Sequence, residues 1–143
     1  MKKAPMLKSV PIILLFAIVL IGCTSSPRFT TRYTGDGDYD LIEEGVASYY
    51  AEPYHGRPTS NGEIYDMNQF TAAHQYLPFN TKVKVTNLNN QMSTVVRIND
   101  RGPFMKDRII DLSVAAAKAI EMYISGTAPV RLEVLELGPV ISK

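Results

Sequence analysis

Residues 81–86, Thr-Lys-Val-Lys-Val-Thr, alternate apolar and polar side chains with a period of two, the signature of a strand that buries one face. Val83 and Val85 fall inward and the two lysines outward. Asn89-Asn90 supplies a turn, and 94–99 returns as a second extended run with Val96 and Ile98 on one face. The span 81–99 therefore reads as a β-hairpin. Its second strand runs into a carboxylate, Asp100, where Gly102 and Pro103 end the extended pattern. An acid at the mouth of a small β domain suits general acid/base chemistry. It equally suits a turn-capping Asp that accepts backbone N–H groups or pairs with Arg101, and these residues alone admit both readings.

Other elements follow the same texture. Residues 45–51, Gly-Val-Ala-Ser-Tyr-Tyr-Ala, read as a first strand, and 130–137 as a last one, with Val130, Leu132, Val134 and Leu135 set among charged residues. Ser113 can cap a short helix over 114–122, and Gly126 and Pro129 break the chain after it. Many short strands with one helix indicate a mainly β fold, a small closed barrel.

The 143 residues are 45% hydrophobic and 20% charged, which fits one ordinary globular domain. The N-terminus has a basic start, an apolar run over 10–21, and then Gly22 and Cys23. That run is too short to span a bilayer, which takes roughly 20 residues, and reads as an export signal. Leu20-Ile21-Gly22-Cys23 resembles a bacterial lipobox, in which cleavage leaves a lipid-bearing cysteine at the new N-terminus. Cys23 is the only cysteine, so it has no disulfide partner within the chain. The expected organisation is a lipoprotein signal peptide (1–22), a lipid-anchored flexible tether (23–42) and one domain (43–143). The acyl chains, palmitate among them, would anchor it to a membrane, and Thr24-Ser25 after the cysteine favour an outer membrane. Setting aside Lys2, Lys3 and Lys8 leaves 12 basic residues against 14 acidic ones. A net charge near −2 argues against nucleic acid as a partner.

Four ionisable residues lie at strand ends or in turns. Glu63 follows the turn Ser60-Asn61-Gly62, and His74 follows the small residues Thr71-Ala72-Ala73, which would let it point into a cleft. Asp100 ends the hairpin, and Asp111 precedes the helix. Each has a bland reading too: a solvated turn residue, a satisfied structural histidine, an Asx-turn, a favourable charge near a helix N-terminus. No Ser-His-Asp or Cys-His arrangement is present. With His55 and His74 as the only histidines and no HExxH spacing, no metal or other cofactor is expected.

Taken in order, Gly45-Val-Ala-Ser-Tyr-Tyr50, His55-Gly-Arg-Pro-Thr-Ser-Asn-Gly-Glu63, Thr71-Ala-Ala-His74, Leu77-Pro-Phe-Asn-Thr81, Val85-Thr-Asn-Leu88, Val96-Arg-Ile-Asn-Asp-Arg-Gly-Pro103 and Ile110-Asp-Leu-Ser113 resemble the rare lipoprotein A family of septal-ring lytic transglycosylases. The resemblance implies a six-stranded double-psi β-barrel with one or two short helices, related to expansins and family 45 glycoside hydrolases. It also implies endolytic cleavage of the β-1,4 bond between N-acetylmuramic acid and N-acetylglucosamine, with 1,6-anhydromuramyl products and a preference for strands stripped of stem peptides. Peptidoglycan glycan strands would be the substrate, and division-machinery proteins possible partners. By position the family's acidic pair falls on Glu63 and Asp100 and its motif histidine on His74. Asp111 matches the aspartate that expansins carry before their Leu-Ser.

Expelling a glycosidic oxygen requires a proton, so one carboxyl must hold it. A hydrolase needs a second carboxylate to activate water or attack the sugar. A lytic transglycosylase uses the sugar's own 6-hydroxyl, so one group can give a proton and then take one. This assigns Asp100 as acid/base, with Glu63 raising its proton affinity or stabilising charge and His74 and Asp111 in support; the division between Asp100 and Glu63 could be reversed. Tyr49, Tyr50, Tyr54 and Tyr65 are candidates for sugar packing, although one of Tyr49 and Tyr50 should face the core. Arg57 and Arg101 could bind the lactyl carboxylate of muramic acid or pair with local acids. Members usually have Ser-Trp-Tyr-Gly where this chain has Ser48-Tyr49-Tyr50-Ala51, so a weaker groove contact is expected. Many also carry a C-terminal SPOR domain. This chain ends at Lys143 after the barrel, so tether and groove would have to find substrate unaided. The rival reading is a non-catalytic, expansin-like glycan-binding or structural lipoprotein.

Overall fold

The computed structural model describes residues 29–33, 39–50 and 52–139; the leader and Cys23 lie outside the described residues. The described residues form seven strands: β1 (Phe29–Tyr33), β2 (Tyr39–Tyr49), β3 (Thr71–His74), β4 (Lys82–Asn87), β5 (Ser93–Asp100), β6 (Arg108–Leu112) and β7 (Ala128–Glu136). A 3-10 turn (Glu52–Tyr54) follows β2, and one helix, α1 (Val114–Ala119), lies between β6 and β7. Six strands close into a ring, β2–β6–β3–β5–β4–β7 and back to β2. Closure leaves those strands no free edge. The pairs β2/β6 and β3/β5 are parallel; the other contacts around the ring are antiparallel.

The expected hairpin is β4–β5, with Val83 opposite Val96. Along β4 burial alternates as the sequence does, and Val83 and Val85 are fully buried. They join Ala47, Ala72, Val96, Ile98, Ile110, Leu112, Val130 and Leu132 in one core. In β7 the alternation stops at Val134, which packs partly against the core. Leu135 shares the outward parity of Arg131 and Glu133 and is exposed.

The span 23–42, expected as a tether, contributes β1 and the start of β2. β7 takes one edge of β2 over 42–47; on the other edge β6 pairs only from Val46 onward, and β1 covers 39–43. Backbone groups on that edge need partners, and Thr30, Thr31, Tyr33 and Tyr39 are strand formers.

Helix α1 starts as expected, with the Ser113 hydroxyl accepting from the Ala116 N–H, but it stops at Ala119, short of 122. Glu121 takes a left-handed φ of 56°. Its N–H donates to the Lys118 carbonyl, and the Met122 N–H to that of Ala117. This is a Schellman ending with glutamate where glycine is usual, which hides it from a composition-based reading.

Two register breaks set the facing of the polar residues. Thr71 and Ala72 pair with Arg97 and Ile98, but Ala73 pairs with Asp100, so Asn99 is an extra residue in β5. Likewise Val46 pairs with Arg108 and Ala47 with Ile110, leaving Ile109 extra in β6. Each bulge moves the residues after it to the other face.

Candidate active site

The bulge in β5 turns Asp100 away from the barrel interior. It lies opposite Ala73 on one side of β3, while Asp111 lies opposite Ala73 on the other. Cross-strand partners share a face, so both acids stand on the face opposite the core, with Cα atoms two strand spacings apart, roughly 10 Å. Strand alternation from Asp100 without the bulge would have aimed it with Val96 and Ile98.

Asp100 is partly exposed and its oxygens accept from four donors. Oδ1 receives the Ser60 hydroxyl (2.5 Å), the Ser60 N–H (2.9 Å) and the Arg101 N–H (2.8 Å); Oδ2 receives the Tyr50 hydroxyl (3.0 Å). Burial, then the nearby charge of Asp100, pushes the Tyr50 phenol well above its ordinary value, so it remains a donor. Its ring lies 5.2 Å from that of Tyr65 and 5.9 Å from that of Tyr54, centroid to centroid. Arg57 sits over Tyr54 at 5.4 Å.

Ser60 is delivered by the turn before Glu63. Gly62 has φ of 90°, a conformation that favours glycine, and the Asn61 side chain accepts from the Glu63 N–H (3.1 Å) and the Thr59 hydroxyl (2.7 Å). Glu63 then meets β5. Arg97 donates to both its oxygens (2.7 and 2.8 Å), and Asn99 donates to Oε2 (3.0 Å). The Arg97 bonds, and next that of Asn99, lower the Glu63 pKa from 4.5 to about 2 despite some burial. A carboxyl so held carries no proton near neutral pH.

The folded-state pKa lies below the ordinary one, so Glu63 contributes stability fully above about pH 4.5 and loses it as the pH falls toward 2. Its side chain is 40% exposed, which screens the pair and leaves about 1 kcal/mol. Glu63→Gln should therefore melt several degrees below wild type at pH 7, and the gap should close on acidification. Thermal unfolding between pH 7 and pH 3 checks this.

Asp111 has the opposite character. It is buried, Arg108 Nε stands 3.5 Å from its Oδ1 without hydrogen-bond geometry, and that oxygen has no hydrogen-bond partner. Burial raises its pKa against the pull of Arg108, with a further push from Asp100. Arg108 also donates to Ser48, which pairs with Asp111 across β2/β6.

Of the two readings of His74, a side chain pointing into a cleft and a satisfied structural histidine, the structure has the second. His74 is 1% exposed, its Nδ1 accepts the N–H groups of Tyr76 (3.2 Å) and Leu77 (3.0 Å), and its Nε2 lies 3.0 Å from Oε2 of the buried Glu43. Two donors on Nδ1 leave the proton on Nε2, which donates to Glu43. Among the described residues Arg101 pairs with no acid: Nη1 donates to the carbonyls of His74 (3.2 Å) and Leu77 (3.0 Å), and the guanidinium stacks 3.8 Å from the Phe79 centroid. Tyr49 packs on the core and against Tyr123 (5.1 Å). The tyrosine that replaces tryptophan thus lies on the core side, so the expected loss of a groove contact does not follow from it. Among the described residues no three His, Cys, Asp or Glu side chains converge as a metal site.

Ser60, Arg97, Asn99 and Glu43 escaped the sequence reading. The available signal was Arg97 and Asn99 alternating with the apolar Val96 and Ile98; for Ser60 and Glu43 there was none.

A family model described as lytic transglycolase matches residues 42–132. The endolytic peptidoglycan transglycosylase RlpA of Campylobacter jejuni is 60% identical over 95 residues, 66% of this chain and 34% of that protein. Its namesake in Helicobacter pylori is 63% identical over 99 residues, 69% of this chain and 31% of that protein. The chain thus spans about a third of the length of these curated relatives. Among solved structures, Streptomyces papain inhibitor superposes with a TM-score of 0.55 at 20% identity, covering 67% of this chain and 96% of that one. The apo expansin of Clavibacter michiganensis gives 0.55 at 16% identity, covering 70% and 52%. These two likenesses concern the fold alone. The closed six-stranded ring is a double-psi β-barrel, and the chain belongs to the lytic transglycolase family.

Proposed function

We infer that the chain cleaves peptidoglycan glycan strands in the cell envelope as an endolytic lytic transglycosylase, acting between N-acetylmuramic acid and N-acetylglucosamine and preferring strands without stem peptides. Asp100 gives its proton to the departing glycosidic oxygen. The muramyl 6-hydroxyl then attacks C1 and returns a proton to Asp100, leaving a 1,6-anhydro end and consuming no water. Glu63, ionised against Arg97, stabilises the oxocarbenium-like charge. Tyr50 and Ser60 hold the Asp100 carboxyl, Asp111 supports it from across Ala73, and His74 acts by fixing the loop that Arg101 grips. The Tyr54–Arg57 pair is the candidate for sugar and lactyl contacts. Cys23 carries the lipid that would hold the domain at a membrane.

The observation that carries this reading is the pairing of a partly exposed, hydrogen-bonded Asp100 with a Glu63 fixed as a carboxylate on the same side of the barrel. Glu63 is held as a carboxylate, which leaves the partly exposed Asp100 as the group assigned the proton transfer. Incubating the full chain with peptide-free glycan strands, and in parallel with peptide-bearing ones, tests it. Fragmentation at internal bonds, faster on the peptide-free strands, is expected; retained binding with no cleavage would favour the glycan-binding lipoprotein instead.

A further inference from the structure

Phe104 is 87% exposed, the most exposed aromatic ring among the described residues, and Met105 beside it is 57% exposed. A single apolar side chain in solvent means little. The surroundings of this one mean more. Gly102 has φ of 131°, and the chain folds so that the Phe104 ring lies over it: a Cβ built on Gly102 would stand 3.7 Å from the ring and 3.9 Å from the Cβ of Ala73. Ala73 is the residue that Asp100 and Asp111 flank. The exposed ring therefore lies on the side of the barrel that carries the two acids.

The segment is also braced. Gln75 donates to the Pro103 carbonyl and the Arg108 N–H to that of Met105, while Arg101 is tied to the 74–77 loop. A ring on fixed backbone loses little freedom when something packs on it. Tyr50 reaches the Asp100 carboxyl from a different element, just past the end of β2, and the Tyr54 ring in the turn after it lies 5.9 Å from that of Tyr50. An aromatic cluster at Asp100 and an exposed ring near Ala73 thus stand on one side of the barrel, carried by separate elements.

We propose that Phe104 is the platform of a saccharide subsite beside Asp100, packing the apolar C–H face of a pyranose next to the one whose bond is cleaved. A pyranose offers such a face to an aromatic ring, and the exposed Phe104 has no polar group that would compete for water there. The proposal rests on the glycan-cleaving reading above, and deepens it by naming what holds the strand in register.

The chain contains no tryptophan, so Phe104→Trp places a single indole fluorophore at the subsite. With the full chain and peptide-free glycan strands, Phe104→Ala is expected to raise KM about tenfold, in line with losing one stacking partner, while kcat changes less than twofold. Phe104→Trp is expected to keep wild-type KM and to shift its emission saturably as strands are added. Melting temperatures of both variants should match wild type, because the side chain is exposed. Cleavage with an unchanged KM in Phe104→Ala and a silent indole would overturn the subsite alone. An indole that responds without any cleavage would sustain the subsite and remove the transglycosylase reading; a silent indole without cleavage would remove both.

Discussion

Asp100→Asn is expected to lower the rate of glycan cleavage by about 10²–10⁴-fold, the usual loss when a positioned general acid/base is removed. The fold should survive. Asparagine keeps one carbonyl oxygen for the Ser60 and Arg101 donors, and its amide can face the Tyr50 hydroxyl, which then accepts. The melting temperature should therefore stay within a few degrees of wild type, and binding of glycan strands should persist. Activity and unfolding measured on the same preparation separate chemistry from stability. Wild-type cleavage by Asp100→Asn would sink the assignment.

The second large effect belongs to the buried pair. His74→Leu would leave Glu43 buried without its donor and deprive the N–H groups of Tyr76 and Leu77 of their acceptor. Removing one member of such a pair costs about 3–5 kcal/mol, which in a domain of this size lowers Tm by roughly 12 °C or more. Glu43→Gln should be far milder, within about 1 kcal/mol, because a glutamine carbonyl still accepts from Nε2. Circular dichroism melts of the two variants check this. If His74 moved a proton during the reaction, Glu43→Gln would instead cut activity without touching Tm.

The barrel itself could be read from residues. Period-two runs such as 81–86, the Asn89-Asn90 turn and the Ser113 cap are local signals, and the structure keeps them. What could not be read is non-local. The two bulges follow from parallel partners brought together by topology, and they decide that Asp100 and Asp111 share a face. Glu121 ends the helix in a conformation usually reserved for glycine, so composition misplaces the boundary. For His74 the spacing of small residues correctly marked an unusual strand but gave the wrong reason. Thr71, Ala72 and Ala73 are small because β3 is buried throughout, and the histidine is held inside by Glu43, thirty-one residues earlier in the chain. Glu63 shows the same limit. Its turn was legible, whereas the Arg97 fork that fixes its charge was not, because no short spacing links the two.

The most direct measurement is cleavage of peptide-free glycan strands in heavy-oxygen water, followed by mass analysis of the new ends. Attack by the muramyl 6-hydroxyl gives 1,6-anhydro ends that contain no heavy oxygen, and this is the expected result. New reducing ends that each carry one heavy oxygen atom would mean that water is the nucleophile, and would contradict the account.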